Sequence, residues 1–489
     1  MKTKHNCFFG ICLSIFLIGA AALAGCSTIS RGVQDGNQTA EADVSGGFDS
    51  AGSEETPAAA EDSDAAESPA PGSVLNIYSW NDEFKNRFEA YYHGYNKATQ
   101  MIGDVKVNWN ILPPDNNVYQ LSLDEALLNQ PDSDSAEKVD LFLVEADYAL
   151  KYVRGSRALS MADLGITNAD MSEMFPYTQD VVRDADGIQR AASWQASSGV
   201  LIYRRDIAKE VLGSDDPDTV QRLLSDWNGF DAVAEKMSQK GYKMLSGADD
   251  TYRVFANNVS QPWVDSRMVI HIDPELTRWV QQAKEYTEKQ YNNRNDLFSG
   301  AWQDDMRGNV FAYFGPAWFF DYTLASNSLA QKEADGGKRE VGNGTYGRWG
   351  IVKGPESYFW GGTWICAAAG TDNRQLDADI IRRMCCSPET ASSMARDVNE
   401  FANNRSIMKS IAGDSAFGSP LLGGQNPYPI LYASAEAVKM KNLTPFDQGI
   451  TESFQTAMHA YIRGDKTESE ALDEFYASVQ EKYPALKRE

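Results

Sequence analysis

Four tryptophans stand at the ends of apolar runs, with oxygen- and nitrogen-bearing groups beside them. Trp80 follows "VLNIYS" and leads into Asn81, Asp82 and Glu83. Trp194 and Gln195 come just before "GVLIY", Trp318 follows "GP" directly after "NVFAYF", and Trp360 sits in "YFWGGTWICAAAG". A flat indole face with carboxylates and amides at its edge suits a pyranose, whose C–H faces stack while its equatorial hydroxyls donate and accept at the rim. A tryptophan beside a strand is also a common core residue. Four at equivalent strand ends, most with glycine, proline or a carboxylate alongside, point to a shared ligand surface.

Other chemistries lack their signatures. The sequence contains no G-x-S-x-G, no phosphate-binding P-loop and no H-E-x-x-H. His93, His271 and His459 are far apart and without metal-ligand spacing, and no motif calls for a cofactor. A secreted glycosidase remains an alternative, because hydrolysis needs two acids about 5 to 9.5 Å apart. With 69 Asp and Glu in the chain, however, adjacent acids carry no weight. A receptor for a cationic solute such as a polyamine is the nearer alternative, since aromatics and carboxylates also grip amines.

The elements that must position these residues alternate strand with helix. "VKVNWNIL" places Val105, Val107, Trp109 and Ile111 on one face with a period of two, and "VDLFLVEA" at 139–146 is a continuous apolar run of the buried parallel type. Phe84, Phe88, Tyr91 and Tyr95 fall at helical spacing after Trp80. Further strands are expected at 199–206, 309–315, 348–354 and 364–370, each running into glycine, proline or a polar helix start. The last third reads as mostly helical, with Thr467 and Glu470 forming a capping box. The fold class is α/β, in which ligands bind at strand ends.

The amino terminus has a separate logic. Lys2 and Lys4 precede the apolar run "FFGICLSIFLIGAAALAG", which ends in Leu23-Ala24-Gly25-Cys26. That order is an export signal over residues 1–25. "LAGC" resembles the lipobox of bacterial lipoproteins, which implies a diacylglyceryl group on Cys26; an uncleaved membrane anchor is the competing reading. Residues 27–72 hold ten acids against Arg31 and almost no apolar side chain, the composition of a disordered tether. Cys366, Cys385 and Cys386 then remain in the mature body, an odd set that makes no disulfide framework. The formal charge of -24 excludes nucleic acid as a ligand, which needs a basic footprint.

Taken in order, "LNIYSWNDEF", "DLFLVEADY", "WQASSGVLIYRRDIAKEVLG", "FAYFGPAWFF", "WGGTWICAAAGTDN", the helix around Leu431–Ser434 and "TPFDQGI" resemble the extracellular solute-binding proteins of sugar ABC importers. The resemblance runs from about residue 73 to the end. It implies two α/β lobes joined by hinge strands and closing over a sugar, with residues 73–191 and 364–415 in lobe one and 192–363 and 416–489 in lobe two. It also implies a receptor that captures an oligosaccharide and delivers it to a membrane permease, held outside the cytoplasm by the lipid on Cys26. Asp147 in "EADY" matches a sugar-contacting acid of that family, and Trp318 in "GPAW" its stacking aromatic. Trp80, Asn81, Asp82, Glu83, Trp194, Gln195 and Trp360 match ligand-facing strand ends, with Trp263 in "SQPWVD" and Asp447 in "TPFDQ" as further contacts. Val144 stands where the family pattern has an aromatic before "EADY".

Overall fold

The computed structural model describes residues 72–488; the export signal, Cys26 and the acidic tether lie outside the described residues. Thirteen strands are present among them. They are β1 (Val74–Ser79), β2 (Tyr95–Asn96), β3 (Met101–Ile102), β4 (Val105–Ile111), β5 (Leu141–Glu145), β6 (Ala192–Ser193) and β7 (Ser198–Arg204). They continue with β8 (Val269–Ile270), β9 (Ala312–Gly315), β10 (Trp349–Val352), β11 (Tyr358–Phe359), β12 (Thr363–Ala367) and β13 (Lys487–Arg488).

Two main sheets organise these strands. The first has seven, in the order β2-β3-β4-β1-β5-β12-β6, and the second is built on β7, which pairs antiparallel with β9, β10 and β11. In the first sheet β1 runs parallel to both β4 and β5, so the carboxyl ends of all three strands emerge on one edge. Both faces of this sheet are covered. Leu141 and Leu143 of β5 pack with Leu75, Ile77 and Phe84, whereas Phe142 and Val144 pack into the second, larger core. β12 alternates likewise, with Ile365 and Ala367 on one side and Trp364 and Cys366 on the other. Burial on both faces is why "LFLV" reads as a continuous apolar run.

The chain passes between the sheets at two places that lie side by side. β6 of the first sheet leads through Trp194–Ser197 into β7 of the second, and β11 of the second leads through Trp360–Gly362 into β12 of the first. The two passages pair antiparallel at both ends, Trp364 with Ser193 and Phe359 with Ser198. The segment around Phe401–Asn403 joins them: Ala196 N donates to the Phe401 carbonyl at 2.9 Å, and Asn403 N to the Trp194 carbonyl at 2.8 Å.

Local rules hold with one exception. The helix Glu468–Lys482 opens on the Thr467/Glu470 capping box. The helix after Trp80 spans Glu83–Tyr91 and buries Phe84 and Phe88, but Tyr95 lies beyond it in β2. Tyr92 adopts an extended conformation after Tyr91, and the chain turns through His93 and Gly94 to pair Tyr95 with Ile102. The helical spacing of Tyr95 is therefore coincidental. Cys366, Cys385 and Cys386 are unpaired.

At the edge of the first sheet away from the parallel strand ends, a polar clip ties three segments together. Asp140 accepts from Asn76 N at 2.7 Å, from the Thr371 hydroxyl at 2.7 Å and from Asn373 Nδ2 at 3.1 Å. The same hydroxyl lies 2.8 Å from Asp377 Oδ2 and accepts from Asn373 N at 3.0 Å. A hydroxyl has one proton to give. With that proton on Asp140, the contact to Asp377 requires Asp377 to be the donor, and both carboxyls are fully buried. Burial, followed by the neighbouring Asp140 charge, holds the Asp377 carboxyl well above its ordinary value.

A raised carboxyl contributes stability that is fully present below its unfolded value and is lost as pH rises toward the folded one. We therefore expect Asp377→Asn to match the wild type near pH 3 and to unfold at higher denaturant than the wild type at pH 8, by about 1–3 kcal/mol. Burial raises the Asp140 carboxyl too, to about 6, against the hydrogen bonds from Thr371, Asn76 and Asn373. Asp140→Asn sets the loss of an acceptor for buried donors, about 1–3 kcal/mol, against that relief and should therefore be less stable than Asp377→Asn at pH 8. Urea unfolding across pH checks both, and equal losses for the two variants would contradict the assigned proton.

Candidate ligand cleft

Because β1 and β5 are parallel neighbours, the turns that follow them lie next to each other. After β1 the chain runs through Trp80, Asn81 and Asp82 into the helix at Glu83; Asn81 Oδ1 accepts from Glu83 N at 3.0 Å, an Asx turn that starts the helix. After β5 come Ala146, Asp147 and Tyr148. The Trp80 ring meets Tyr148 edge-on at 6.2 Å and Tyr119 at 5.6 Å, joining the two turns in one aromatic corner. Asp82 is exposed.

Beyond that corner Asp147 faces Arg253, which stands on the helix Tyr252–Asn257. Nη1 and Nη2 donate to the two carboxylate oxygens at 2.6 Å each. The pair lies in a cavity of about 80 Å³ that Trp263, Phe359 and Asp447 also line. Trp263 packs edge-on against Phe454 at 5.3 Å. Asp447 begins the helix Asp447–Arg463 and accepts from Thr444 N at 3.0 Å and from the Thr444 hydroxyl. Burial chiefly, opposed by the Thr444 hydrogen bonds, pushes the Asp447 carboxyl up to about 7. Burial, and then the Asp147 charge, push Glu145 up to about 8 against the pull of Arg253.

On the other side of Trp80 a second group forms around the passages between the sheets. Glu83 Oε1 accepts from Gln195 Nε2 at 3.1 Å, and Gln195 Oε1 accepts from the Ser197 hydroxyl at 3.0 Å. Trp360 N donates to the Ser197 carbonyl at 3.2 Å. The Trp318 indole N–H donates to the Trp360 carbonyl at 3.2 Å, and the two rings meet edge-on at 5.3 Å. Arg87, one helical turn after Glu83, donates to Glu400 at 3.3 Å. Burial pushes Glu400 up to about 7, with Arg87 opposing and Glu83 adding to the rise. Tyr322 stands near this cluster; desolvation at its hydroxyl end first, and then the Glu83 charge, raise that hydroxyl although the residue as a whole is exposed.

The structure thus gathers Glu83, Gln195, Trp318 and Trp360 in one group, in which Gln195 and Trp360 are themselves buried, and Asp147, Trp263 and Asp447 in another, with Trp80 between them. Trp194 goes elsewhere. It is 2% exposed, stacked on Phe84 at 5.3 Å among the residues of the first sheet's core. Sequence reasoning did not single out Arg87, Arg253, Ser197, Tyr322 or Glu400. Arg87 carried a signal, being four residues after Glu83 on the same helix face; Arg253 and Glu400 carried none.

What this arrangement offers chemically is two arginines, each bracketed by two carboxylates, and a pair of crossed indoles. Indoles supply flat apolar faces, while carboxyls near neutrality both donate and accept.

A family model described as bacterial extracellular solute-binding protein matches residues 90–411. Among solved structures, the fold is similar to an extracellular solute-binding protein of family 1, with TM-score 0.68 and 18% identity over 83% of this chain and 99% of that one. It is also similar to the galacto-N-biose-/lacto-N-biose I-binding protein of the ABC transporter from Bifidobacterium longum in complex with lacto-N-biose, with TM-score 0.62 and 12% identity over 86% and 99% of the two chains. The sugar-binding protein MalE from the phytopathogen Xanthomonas citri matches with TM-score 0.61 and 14% identity over 83% and 96%. No curated protein matches the sequence significantly. The likeness is to the two-lobe fold of binding proteins.

The placement of Trp194 makes a prediction. Trp194→Ala should lower unfolding free energy by about 3–5 kcal/mol, the cost of emptying a buried aromatic site. A loss below about 1 kcal/mol in chemical denaturation would place the ring outside the core.

Proposed function

The chain belongs to the bacterial extracellular solute-binding protein family, and from that premise we propose that its solute is a sugar, an oligosaccharide in particular, captured in the cleft and delivered to an ABC transporter permease. The observation that carries this reading is the crossed indole pair Trp318 and Trp360 beside the Glu83–Gln195 edge. An apolar face and a polar rim within one group match the two surfaces of a pyranose. The neighbours with lacto-N-biose and the sugar-binding MalE support the same class. A cationic solute is disfavoured, because burial holds Asp447 and Glu145 toward their neutral forms.

In this reading lobe one comprises residues 73–191 and 364–415, lobe two 192–363 and 416–489, and Trp194–Ser197 with Trp360–Gly362 form the hinge. Solute contacts on both lobes favour the closed arrangement, which the permease reads. The protein is a receptor tethered to the outer face of the membrane by the lipid on Cys26.

Two outcomes follow. Trp318→Ala should weaken binding of a screened sugar by about 1–3 kcal/mol, roughly 5- to 150-fold, with the solute-free melting temperature nearly unchanged. Preserved affinity with a large loss of stability in calorimetry would make Trp318 a core residue. Cys26→Ala should move the protein out of the membrane fraction; unchanged partitioning would assign the anchor to the apolar run instead.

A further inference from the structure

Asp147 and Arg253 come from opposite sides of the cleft. Asp147 follows β5 of the first sheet, and Arg253 stands on a helix that packs against β11 of the second sheet and against the helix Pro274–Glu288. Their fork-to-fork geometry, two bonds of 2.6 Å, is the strongest form of a carboxylate pair. Two other contacts tie the same sides together. Gln120 Nε2 donates to Gln448 Oε1 at 3.1 Å, and Arg154 Nη2 donates to the Leu443 carbonyl at 3.2 Å. The pair stands in the cavity of about 80 Å³ between these elements.

We propose that Arg253 sets the affinity of the cleft by acting as an internal competitor: its guanidinium occupies Asp147 in the solute-free protein, and the solute takes its place on that carboxylate. Only the exchange on Asp147 rests on the sugar reading above; the latch rests on the Asp147–Arg253 pair alone. Glu145, whose charge acts on Arg253, leaves the displaced guanidinium with a second carboxyl partner. The pair is also reachable by salt, since the two side chains are 27% and 32% exposed. Apparent affinity scales with the fraction of molecules in which Asp147 is free.

The test begins without any solute. Small-angle scattering of the full chain at 20 mM and 500 mM NaCl should show a compact wild type that expands at the higher salt. Arg253→Gln should be expanded at both, and the charge-reversed double variant D147R/R253D should restore the compact, salt-responsive state. Arg253→Lys, which keeps the charge and loses the fork, should fall between and serves if Arg253→Gln does not fold. Equal scattering of the wild type and the folded Arg253 variant at both salts overturns the latch. Isothermal titration with lacto-N-biose and with maltose supplies the second readout. Arg253→Gln should bind whichever of these the wild type binds about 5- to 10-fold more tightly, the gain expected if the latch leaves about 10–20% of molecules competent. Weaker binding overturns the proposal by making the guanidinium a solute contact. If neither sugar binds the wild type, scattering alone decides the latch, and the failure belongs to the choice of sugar.

Discussion

The rest of the structure depends on two short backbone passages held side by side. Trp194–Ser197 and Trp360–Gly362 lie between segments that are themselves paired, Ser193 with Trp364 and Ser198 with Phe359, so neither passage moves without the other. The backbone there is built for tight turning. Ser197 has φ of 45°, and Gly361 and Gly362 have φ of 72° and 89°. A Cβ on Gly362 would come within 3.2 Å of the Phe359 and Trp364 rings, and one on Gly361 within 3.3 Å of the Trp318 indole nitrogen. Positive φ and close rings together explain glycine at both positions. The same constraint puts Gln195 and Trp360 at the junction, where Glu83 from the first sheet and Trp318 from the second meet them.

Around that junction the electrostatics repeat a single device. Arg87 answers Glu83 and Glu400 at one end of the cleft, and Arg253 answers Asp147 and Glu145 at the other. A chain of formal charge -24 could not gather these carboxyls out of water without countercharge, and removing either arginine would leave buried acids uncompensated. One guanidinium for two carboxyls is incomplete neutralisation. Burial does the rest, lifting Glu400 to about 7 and Glu145 to about 8. Such groups suit hydroxyl recognition, because a carboxyl near its midpoint serves as donor or acceptor.

Much of this frame was legible in the sequence. Period-two alternation in "VKVNWNIL" and the continuous run in "LFLV" marked β4 and β5, and the polar residues after β1 and β5 marked turns that lie side by side. What failed did so for tertiary reasons. Trp194 carries the same strand-end signature as Trp318, yet the helix Glu83–Tyr91 brings Phe84 against its ring and takes it into the core. Tyr95 kept the helical spacing of Phe84 and Phe88 while the backbone had already turned away to pair with β3. The partners of Asp147 and Arg87 were invisible because they lie 106 and 313 residues away. Ion pairs over such separations leave no local pattern. The export signal, Cys26 and the tether were read from composition and lie outside the described residues.

The central claim is that the junction of the two sheets holds a neutral sugar. A thermal-shift screen of the protein against neutral oligosaccharides and against polyamines, each at 20 mM and 500 mM NaCl, tests it most directly. The account predicts that an oligosaccharide stabilises the fold, by about 2.7 kcal/mol at 100 times its dissociation constant, and that 500 mM salt does not diminish the effect. Stabilisation by an amine alone, lost as salt rises, would contradict it.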